Sequence, residues 1–152
     1  RRVAEIARAF GAKVIYYSAS GAPAQEGYEQ VDFETLLTQS DIISVHAPLN
    51  EHTEGLINSK AFEKMKSSCI FLNLGRGPIV DEQALYNALV RNQIAAAGLD
   101  VLCEEPMSAD NPLLKIKDSK RLLITPHIAW ASVEARTHLM EIIHGQVKDF
   151  FA

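Results

Sequence analysis

The sequence predicts an α/β protein built on a doubly wound parallel sheet. Short apolar segments alternate with amphipathic segments along the 152 residues, as expected where helices connect parallel strands. The apolar segments, such as residues 69–74, are hydrophobic throughout and do not alternate with polar residues, which is typical of strands buried on both faces. Polar side chains follow several of these segments, at the sheet edge where such proteins bind ligands.

Composition indicates one globular domain and limits the classes of partner that it is expected to bind. Of the residues, 47% are hydrophobic and 22% are charged, which allows a substantial core. The net charge is -4 without a long basic block, so nucleic acid is not an expected ligand. No apolar run approaches the ~20 residues that cross a bilayer, and the amino terminus lacks a signal-peptide pattern. We therefore expect no membrane partner.

The two cysteines, Cys69 and Cys103, form neither a metal-ligand spacing nor a disulfide framework. We therefore expect structural roles for both thiols, no metal site, and a reducing, cytoplasmic setting.

A helix, a strand and a loop are predicted for the first 24 residues. Apolar side chains recur on one helical face from Val3 to Phe10, and Gly11 suits the residue that ends the helix. Residues 13–18 are typical of a strand, and the small residues and proline of 18–24 predict a loop. The helix has no capping residue at its start, which suggests that upstream sequence has been removed.

The later helices are each predicted from a capping residue. Asp32, Asn58, Asp81 and Ser132 stand where a side chain can accept a hydrogen bond from the first helical turn. The helix after Asp32 extends through Leu37, and the helix after Asn58 extends through Met65. The helix after Asp81 has an apolar stripe formed by Leu85, Ala88 and Leu89, and the helix after Ser132 extends to about Phe151.

Four further strands are predicted between these helices, at residues 41–46, 69–74, 94–101 and 121–124. In the strand at 94–101, alanine and glycine would let a helix pack closely against the sheet. Polar residues stand at or just past the carboxyl ends of successive strands, and one crevice can hold all five of them. These residues are Ser18, His46, Arg76, Asp100 and His127.

Arg76, Glu105 and His127 have complementary chemistry. Gly75 and Gly77 let the backbone around Arg76 turn sharply, and its guanidinium matches a carboxylate. Histidine is the usual proton donor near neutral pH, and a neighbouring carboxylate stabilises its charged form. The trio suits reduction of a 2-oxo acid: Arg76 holds the substrate carboxylate and polarises the oxo group, His127 protonates the oxygen, and Glu105 orients His127. Read singly, each residue is more often an ordinary loop residue.

Three blocks resemble the nucleotide-binding domain of the D-isomer-specific 2-hydroxyacid dehydrogenases. They are SDIISVHAPL at 40–49 with Thr53 and residues 56–57; NLGRGPIVD at 73–81; and GLDV at 98–101 with residues 105–106 and TPHI at 125–128. The resemblance covers nearly the whole chain and implies a Rossmann-like fold. It implies that Arg76, Glu105 and His127 are catalytic, with Asp100 near the nicotinamide amide. The residues implied to border the cofactor are Ser18, His46, Ala47, Pro48, Thr53, Leu74, Gly75, Arg76, Asp100, His127 and Ala129.

The segment from His127 to Ser132 is most similar to the glycerate dehydrogenase, or hydroxypyruvate reductase, branch of the family. Trp130 decides this, because its ring can wall a pocket for a small hydroxylated acid; packing at a dimer or domain interface is the alternative. The formate dehydrogenase branch places glutamine where Glu105 stands, which counts against it. The resemblance also implies a homodimer formed through this domain.

The chain departs from the family pattern in two ways. The strand and glycine-rich loop that hold the cofactor pyrophosphate are absent, and so is the substrate-binding domain. We therefore expect residues 1–152 to be a partial dinucleotide-binding domain of a larger enzyme. Ser18 stands where an acid usually meets the adenosine ribose, and no arginine or lysine follows it before Lys60. NAD is the expected cofactor, with NADP open.

Three functions remain open from the sequence. The first is hydride transfer between NAD(P)H and a small 2-oxo acid, giving D-glycerate from hydroxypyruvate or glycolate from glyoxylate. The second is oxidation of D-lactate or D-3-phosphoglycerate. The third is an NADH-sensing binding protein that resembles the C-terminal-binding-protein corepressors, which keep a similar Arg, Glu and His set. The residues around Trp130 favour the first.

Overall fold

The computed structural model describes residues 1–151 and contains six short strands, all paired in parallel. They are β1 (Ile15–Tyr16), β2 (Glu29–Gln30), β3 (Ile42–Val45), β4 (Ile70–Asn73), β5 (Ala96–Leu99) and β6 (Leu122–Ile124). Strands β3, β4, β5 and β6 form one sheet in that order, and β1 and β2 form a separate sheet. Parallel strands connected by helices confirm the predicted Rossmann-like α/β class.

Five α-helices connect or follow the strands. They are α1 (Arg2–Ala9), α2 (Phe33–Gln39), α3 (Ser59–Lys64), α4 (Glu82–Val90) and α5 (Val133–Phe150). Two 3₁₀ turns, at Gly77–Ile79 and Pro112–Lys115, lie in the loops. None of the helices within residues 1–151 combines the length and hydropathy that crossing a bilayer requires.

All four predicted caps are confirmed. The side chains of Asp32, Asn58, Asp81 and Ser132 each accept a hydrogen bond from a backbone N–H in the first turn of α2, α3, α4 and α5. Gly11 follows α1 with a φ of 84°, the left-handed conformation expected of the residue that ends a helix. These local signals therefore set the helix boundaries.

The core lies between the four-stranded sheet and the layer formed by α2, α3 and α4. Neighbouring helices in this layer contact each other, and Phe62 of α3 meets Phe71 of β4 edge to face, with 5.5 Å between ring centroids. Leu85 and Leu89 of α4 are fully buried beside them, as the predicted apolar stripe requires. Burial of these large apolar side chains is the main stabilising contribution.

The prediction that the strand at 69–74 is buried on both faces is wrong. Phe71 is buried, but Ile70 is 40% exposed, and Ile42 in neighbouring β3 is 60% exposed. Helices α1 and α5 contain no buried residue, and thus neither of them covers this second face of the sheet.

Two smaller predictions also need correction. Strand β1 is shorter than the predicted 13–18 and pairs with β2, which the sequence did not predict because Glu29 and Gln30 show no apolar pattern. The small residue Gly98 makes room for a neighbouring strand rather than for a helix, since a Cβ there would lie 2.9 Å from Leu72 Cδ2.

Candidate active site

The register of the large sheet aligns the carboxyl ends of its four strands. Val45 pairs with Asn73, Asn73 with Leu99, and Leu99 with Ile124. The segments that follow therefore leave the sheet at one edge. They begin with His46, Leu74, Asp100 and Thr125.

The loop that carries Arg76 is held by the side chain of Asn73. This side chain is buried; its Oδ1 accepts from Gly75 N at 3.1 Å, and its Nδ2 donates to Arg76 O at 3.0 Å. Arg76 is exposed, and its Nη1 donates to the Gly75 carbonyl at 2.9 Å. The backbone of the loop is thus fixed while the guanidinium stays accessible to an anion.

Gly77 joins this loop to the segment that leads to Glu105. A Cβ at Gly77 would lie 1.9 Å from Leu102 O and 2.4 Å from Cys103 N. No side chain larger than hydrogen fits at that distance, so glycine is required here for the close approach of two backbones.

Glu105 and His127 are joined by a hydrogen bond. His127 Nδ1 lies 2.8 Å from Glu105 Oε2, and Glu105 Oε1 accepts from Leu102 N at 2.9 Å. The Leu102 N–H and then the His127 ring lower the pKa of Glu105 below its ordinary value, so the carboxylate is ionised near neutral pH. Because an ionised carboxylate only accepts hydrogen bonds, Nδ1 is the donor in this contact. The other ring nitrogen, Nε2, is left to exchange a proton with a ligand.

Asp100 binds the loop on both sides of His127. Its Oδ1 accepts from Thr125 Oγ1 at 2.6 Å and from Ile128 N at 2.9 Å, while Oδ2 accepts from Ala129 N at 2.8 Å. Burial raises the pKa of Asp100, but the hydrogen bonds from Thr125, Ala129 and Ile128 more than offset this and hold it below the ordinary value. An ionised Asp100 is therefore part of the loop structure.

A groove of about 510 Å³ lies beside Arg76. Residues following β3 line one side and residues following β4 line the other; they are His46, Ala47, Pro48, Leu49, Leu74, Gly75 and Arg76. A Cβ at Gly75 would lie 3.1 Å from Ala47 O, so glycine keeps the groove from narrowing at this point. His46 and Arg76 give the groove polar side chains, so it suits a polar ligand that reaches Arg76.

Two of the residues implied by the resemblance have other contacts. The buried Thr53 donates from Oγ1 to Pro48 O at 2.7 Å and so stabilises the loop that borders the groove. Ser18 follows β1, in the separate sheet, and its Oγ lies 3.1 Å from Ser20 Oγ. Thr53 is thus connected to the groove through its hydrogen bond to Pro48. Among residues 1–151, the Ser18 side chain has a hydrogen-bond partner only within its own loop.

The thiols lie apart from this chemistry. Cys69 is fully buried in the core. Burial, followed by the charge of nearby Glu82, raises the pKa of the Cys103 thiol to about 12. A thiol that stays protonated at neutral pH is a poor nucleophile.

Sequence reasoning missed three supporting side chains. Asn73 and Thr125 lie in the family blocks without a predicted role, and no sequence pattern predicts a role for Glu82. Glu82 accepts from Cys103 N and from Asn111 Nδ2, both at 2.7 Å, and so ties the segment before Glu105 to α4. The signal available for Asn73 was its place, a side-chain amide at a strand end immediately before a glycine-rich turn.

The chain matches known proteins over nearly its whole length. A family model described as D-isomer specific 2-hydroxyacid dehydrogenase, NAD binding domain, matches residues 1–129. A hydroxypyruvate reductase from Blautia hydrogenotrophica is 45% identical over 148 residues, which are 96% of this chain and 45% of that protein. A glycerate dehydrogenase from Methylorubrum extorquens is 41% identical over 152 residues, which are 100% of this chain and 46% of that protein.

A solved structure shows the same fold. An acyclic imino acid reductase in complex with NADPH and D-Arg superposes with a TM-score of 0.88 at 39% identity, and the match covers 98% of this chain and 46% of that one. The chain thus spans about half the length of the relatives it matches.

Proposed function

The chain belongs to the D-isomer specific 2-hydroxyacid dehydrogenase family, and we propose that it is the cofactor-binding part of an enzyme that transfers a hydride between NAD(P)H and a small 2-oxo acid. The observation that carries this proposal is the pairing of His127 Nδ1 with Glu105 at 2.8 Å, on the same sheet edge as the accessible Arg76. A proton donor and an anion-binding cation are what reduction of a 2-oxo acid needs.

The proposed cofactor is NAD, with NADP as the alternative. The groove between the loops after β3 and β4 suits a dinucleotide, because Gly75 leaves it open and the polar side chains of His46 and Arg76 line it. We assign cofactor contacts to the residues that the resemblance implies, namely Ser18, His46, Ala47, Pro48, Thr53, Leu74, Gly75, Arg76, Asp100, His127 and Ala129. When bound, the nicotinamide supplies or accepts the hydride.

The three proposed catalytic residues divide the remaining work. Arg76 binds the substrate carboxylate and polarises the oxo group through its guanidinium. His127 gives a proton from Nε2 to the oxygen that becomes the hydroxyl, and takes it back in the reverse direction. Glu105 holds Nδ1, which fixes the ring orientation and stabilises the charged imidazole after protonation.

The proposed substrates are hydroxypyruvate and glyoxylate, reduced to D-glycerate and glycolate. Relatives over 40% identical are named hydroxypyruvate reductase and glycerate dehydrogenase, which supports this choice. We further propose that the Trp130 ring walls the substrate pocket, that the enzyme is a homodimer, and that a substrate-binding domain lies in the part of the enzyme beyond this chain, since the relatives are about twice its length.

The proposal is tested by following the absorbance of NADH and NADPH in the full-length enzyme. Hydroxypyruvate, glyoxylate, pyruvate and phosphohydroxypyruvate are offered in parallel, and pyruvate with an added amine tests imine reduction. We expect fastest turnover with hydroxypyruvate and NADH. A preference for pyruvate or phosphohydroxypyruvate would instead indicate the lactate or phosphoglycerate reactions. Tight NADH binding without turnover of any acid would indicate the NADH-sensing function and contradict the enzyme.

A further inference from the structure

His127 has an unusual backbone conformation. Its φ is 55°, and among residues 1–151 Asn92 is the one other non-glycine residue with a positive φ. Left-handed backbone is unfavourable for a residue with a Cβ, and it persists where surrounding contacts hold it. The contacts that hold this backbone therefore also set where the imidazole points.

Two hydrogen bonds act on the backbone of His127 itself. Its N–H donates to Thr125 O at 3.0 Å, and its carbonyl accepts from Trp130 Nε1 at 2.8 Å. Asp100 Oδ1 accepts from Ile128 N at 2.9 Å, and this N–H lies in the same planar peptide unit as the His127 carbonyl. The orientation of this peptide is thus held from both sides, by Asp100 at its N–H and by the indole N–H at its carbonyl.

The ring of Trp130 is not held in place by burial. The residue is 52% exposed, yet its indole N–H is bonded to the protein. The hydrogen bond from the indole N–H to the His127 carbonyl closes a turn of four residues, from His127 to Trp130. The indole therefore contributes to the conformation of the segment that carries the imidazole.

We propose that Trp130 is a positioning residue for His127. Together with Asp100, its indole N–H holds the peptide that follows His127 and thereby the left-handed backbone, which keeps Nδ1 against Glu105 and leaves Nε2 directed for proton transfer. The inference rests on the proposed function for its catalytic consequence, and on geometry alone for the positioning itself. It is distinct from the pocket-wall role of the ring, because it depends on the N–H.

The test separates the N–H from the ring in the full-length enzyme. Trp130 is replaced by 3-benzothienylalanine, which keeps the two-ring shape and has sulfur in place of the N–H, and, in a second variant, Trp130→Phe removes both features. With hydroxypyruvate we expect the benzothienyl variant to lose on the order of 10- to 100-fold in kcat with KM unchanged. The Phe variant should lose the same in kcat and also show a raised KM. An unchanged kcat in the benzothienyl variant, whether or not KM rises, would overturn the proposal.

A second readout does not depend on turnover. In heteronuclear NMR spectra, the indole signal that disappears in Trp130→Phe identifies the Trp130 N–H. We expect slow exchange of this proton with water in the wild type, and a changed chemical shift of the His127 ring in the benzothienyl variant. Fast exchange or unchanged His127 signals would overturn the positioning role. A wild-type enzyme that shows these NMR properties but reduces no 2-oxo acid would refute the proposed function and leave the positioning intact.

Discussion

His127 is the residue on which proton transfer depends in the proposed reaction. Its Nδ1 is occupied by Glu105 at 2.8 Å, so Nε2 is the one ring nitrogen free to meet a substrate oxygen. Replacing His127 with Ala should lower kcat by on the order of 10²–10⁴, the usual contribution of a general acid or base. Steady-state assays of the full-length enzyme measure this loss.

The matched control for that prediction is His52→Ala. His52 is exposed and pairs loosely with Glu51, with 3.5 Å between Nε2 and the carboxylate, so this variant should keep wild-type kcat. A loss at His127 smaller than tenfold would show that the imidazole orients the substrate rather than transferring the proton.

Asp100 makes the stability of the His127 loop depend on pH. Its pKa is below the ordinary value because Thr125, Ala129 and Ile128 hydrogen-bond the ionised form despite burial. These bonds stabilise the fold above the ordinary aspartate range, and the stabilisation is lost as the pH falls through the lower pKa of the folded state. At about pH 6, Asp100→Asn should lower the free energy of unfolding by about 2 kcal/mol.

As the pH falls below the ordinary aspartate range that difference should shrink, because the unfolded wild type takes up a proton at Asp100 first and the folded state does so only at its lower pKa. Urea unfolding of the full-length enzyme across this range measures it, with Asp149→Asn, an exposed aspartate on α5, as the control. A difference between wild type and Asp100→Asn that stays constant with pH would contradict the role given to the ionised carboxylate.

At the scale of single residues, the sequence predicts which residues carry the chemistry but not which side chains hold those residues in place. Residue types and the family blocks predict a catalytic role for Arg76, Glu105 and His127. The contact between Glu105 and His127 agrees with that prediction. The bonds from Asn73 to the Arg76 loop and from Trp130 to His127 depend on backbone directions in the folded chain, which residue types do not encode.

The secondary-structure elements divide by how local their signals are. The caps at Asp32, Asn58, Asp81 and Ser132 were predictable because a side chain and the turn that it caps lie within three residues of each other. The burial of strand faces was not, because it depends on which helices pack over the sheet. An apolar residue such as Ile70 looks buried in the sequence whether or not a helix covers it.

The junction between the Arg76 loop and the segment that leads to Glu105 depends on Gly77. Gly77→Ala would bring a methyl group to within 1.9 Å of Leu102 O, so one backbone must move. We expect a loss of at least about 3 kcal/mol in the free energy of unfolding, together with lower kcat, because Arg76 and Glu105 lie on the two displaced segments. Chemical unfolding and steady-state assays of the full-length enzyme measure both effects.

Gly145→Ala is the matched control. Gly145 lies within α5, and a Cβ there would meet nothing within 4 Å, so the variant should be as stable as the wild type or more stable by about 0.5–1 kcal/mol. Equal stability of Gly77→Ala and Gly145→Ala would show that the Arg76 loop and Leu102 can separate without cost.

At the scale of the whole molecule, the predicted single sheet is divided in the structure. Strands β1 and β2 form one sheet and β3, β4, β5 and β6 form another, while the sequence located the parallel strands without showing how they are grouped. Grouping depends on backbone pairing between distant segments, which leaves no local pattern.

Residues 1–152 taken alone should turn over no substrate. Large apolar side chains of α5, including Met140 at 62% and Phe150 at 81% exposure, and Phe10 beyond α1 at 88%, have no apolar cover within residues 1–151. Exposed apolar area of this kind favours self-association, and half of the substrate pocket is proposed to lie outside the chain. We therefore expect the purified segment to bind an apolar dye, to aggregate at micromolar concentration, and to show no oxidation of NADH with hydroxypyruvate. Under the same conditions the full-length enzyme should bind no dye, form no assembly larger than the proposed homodimer, and oxidise NADH. Appreciable hydride transfer by the segment would show that Arg76, Glu105 and His127 form a sufficient active site without the other domain.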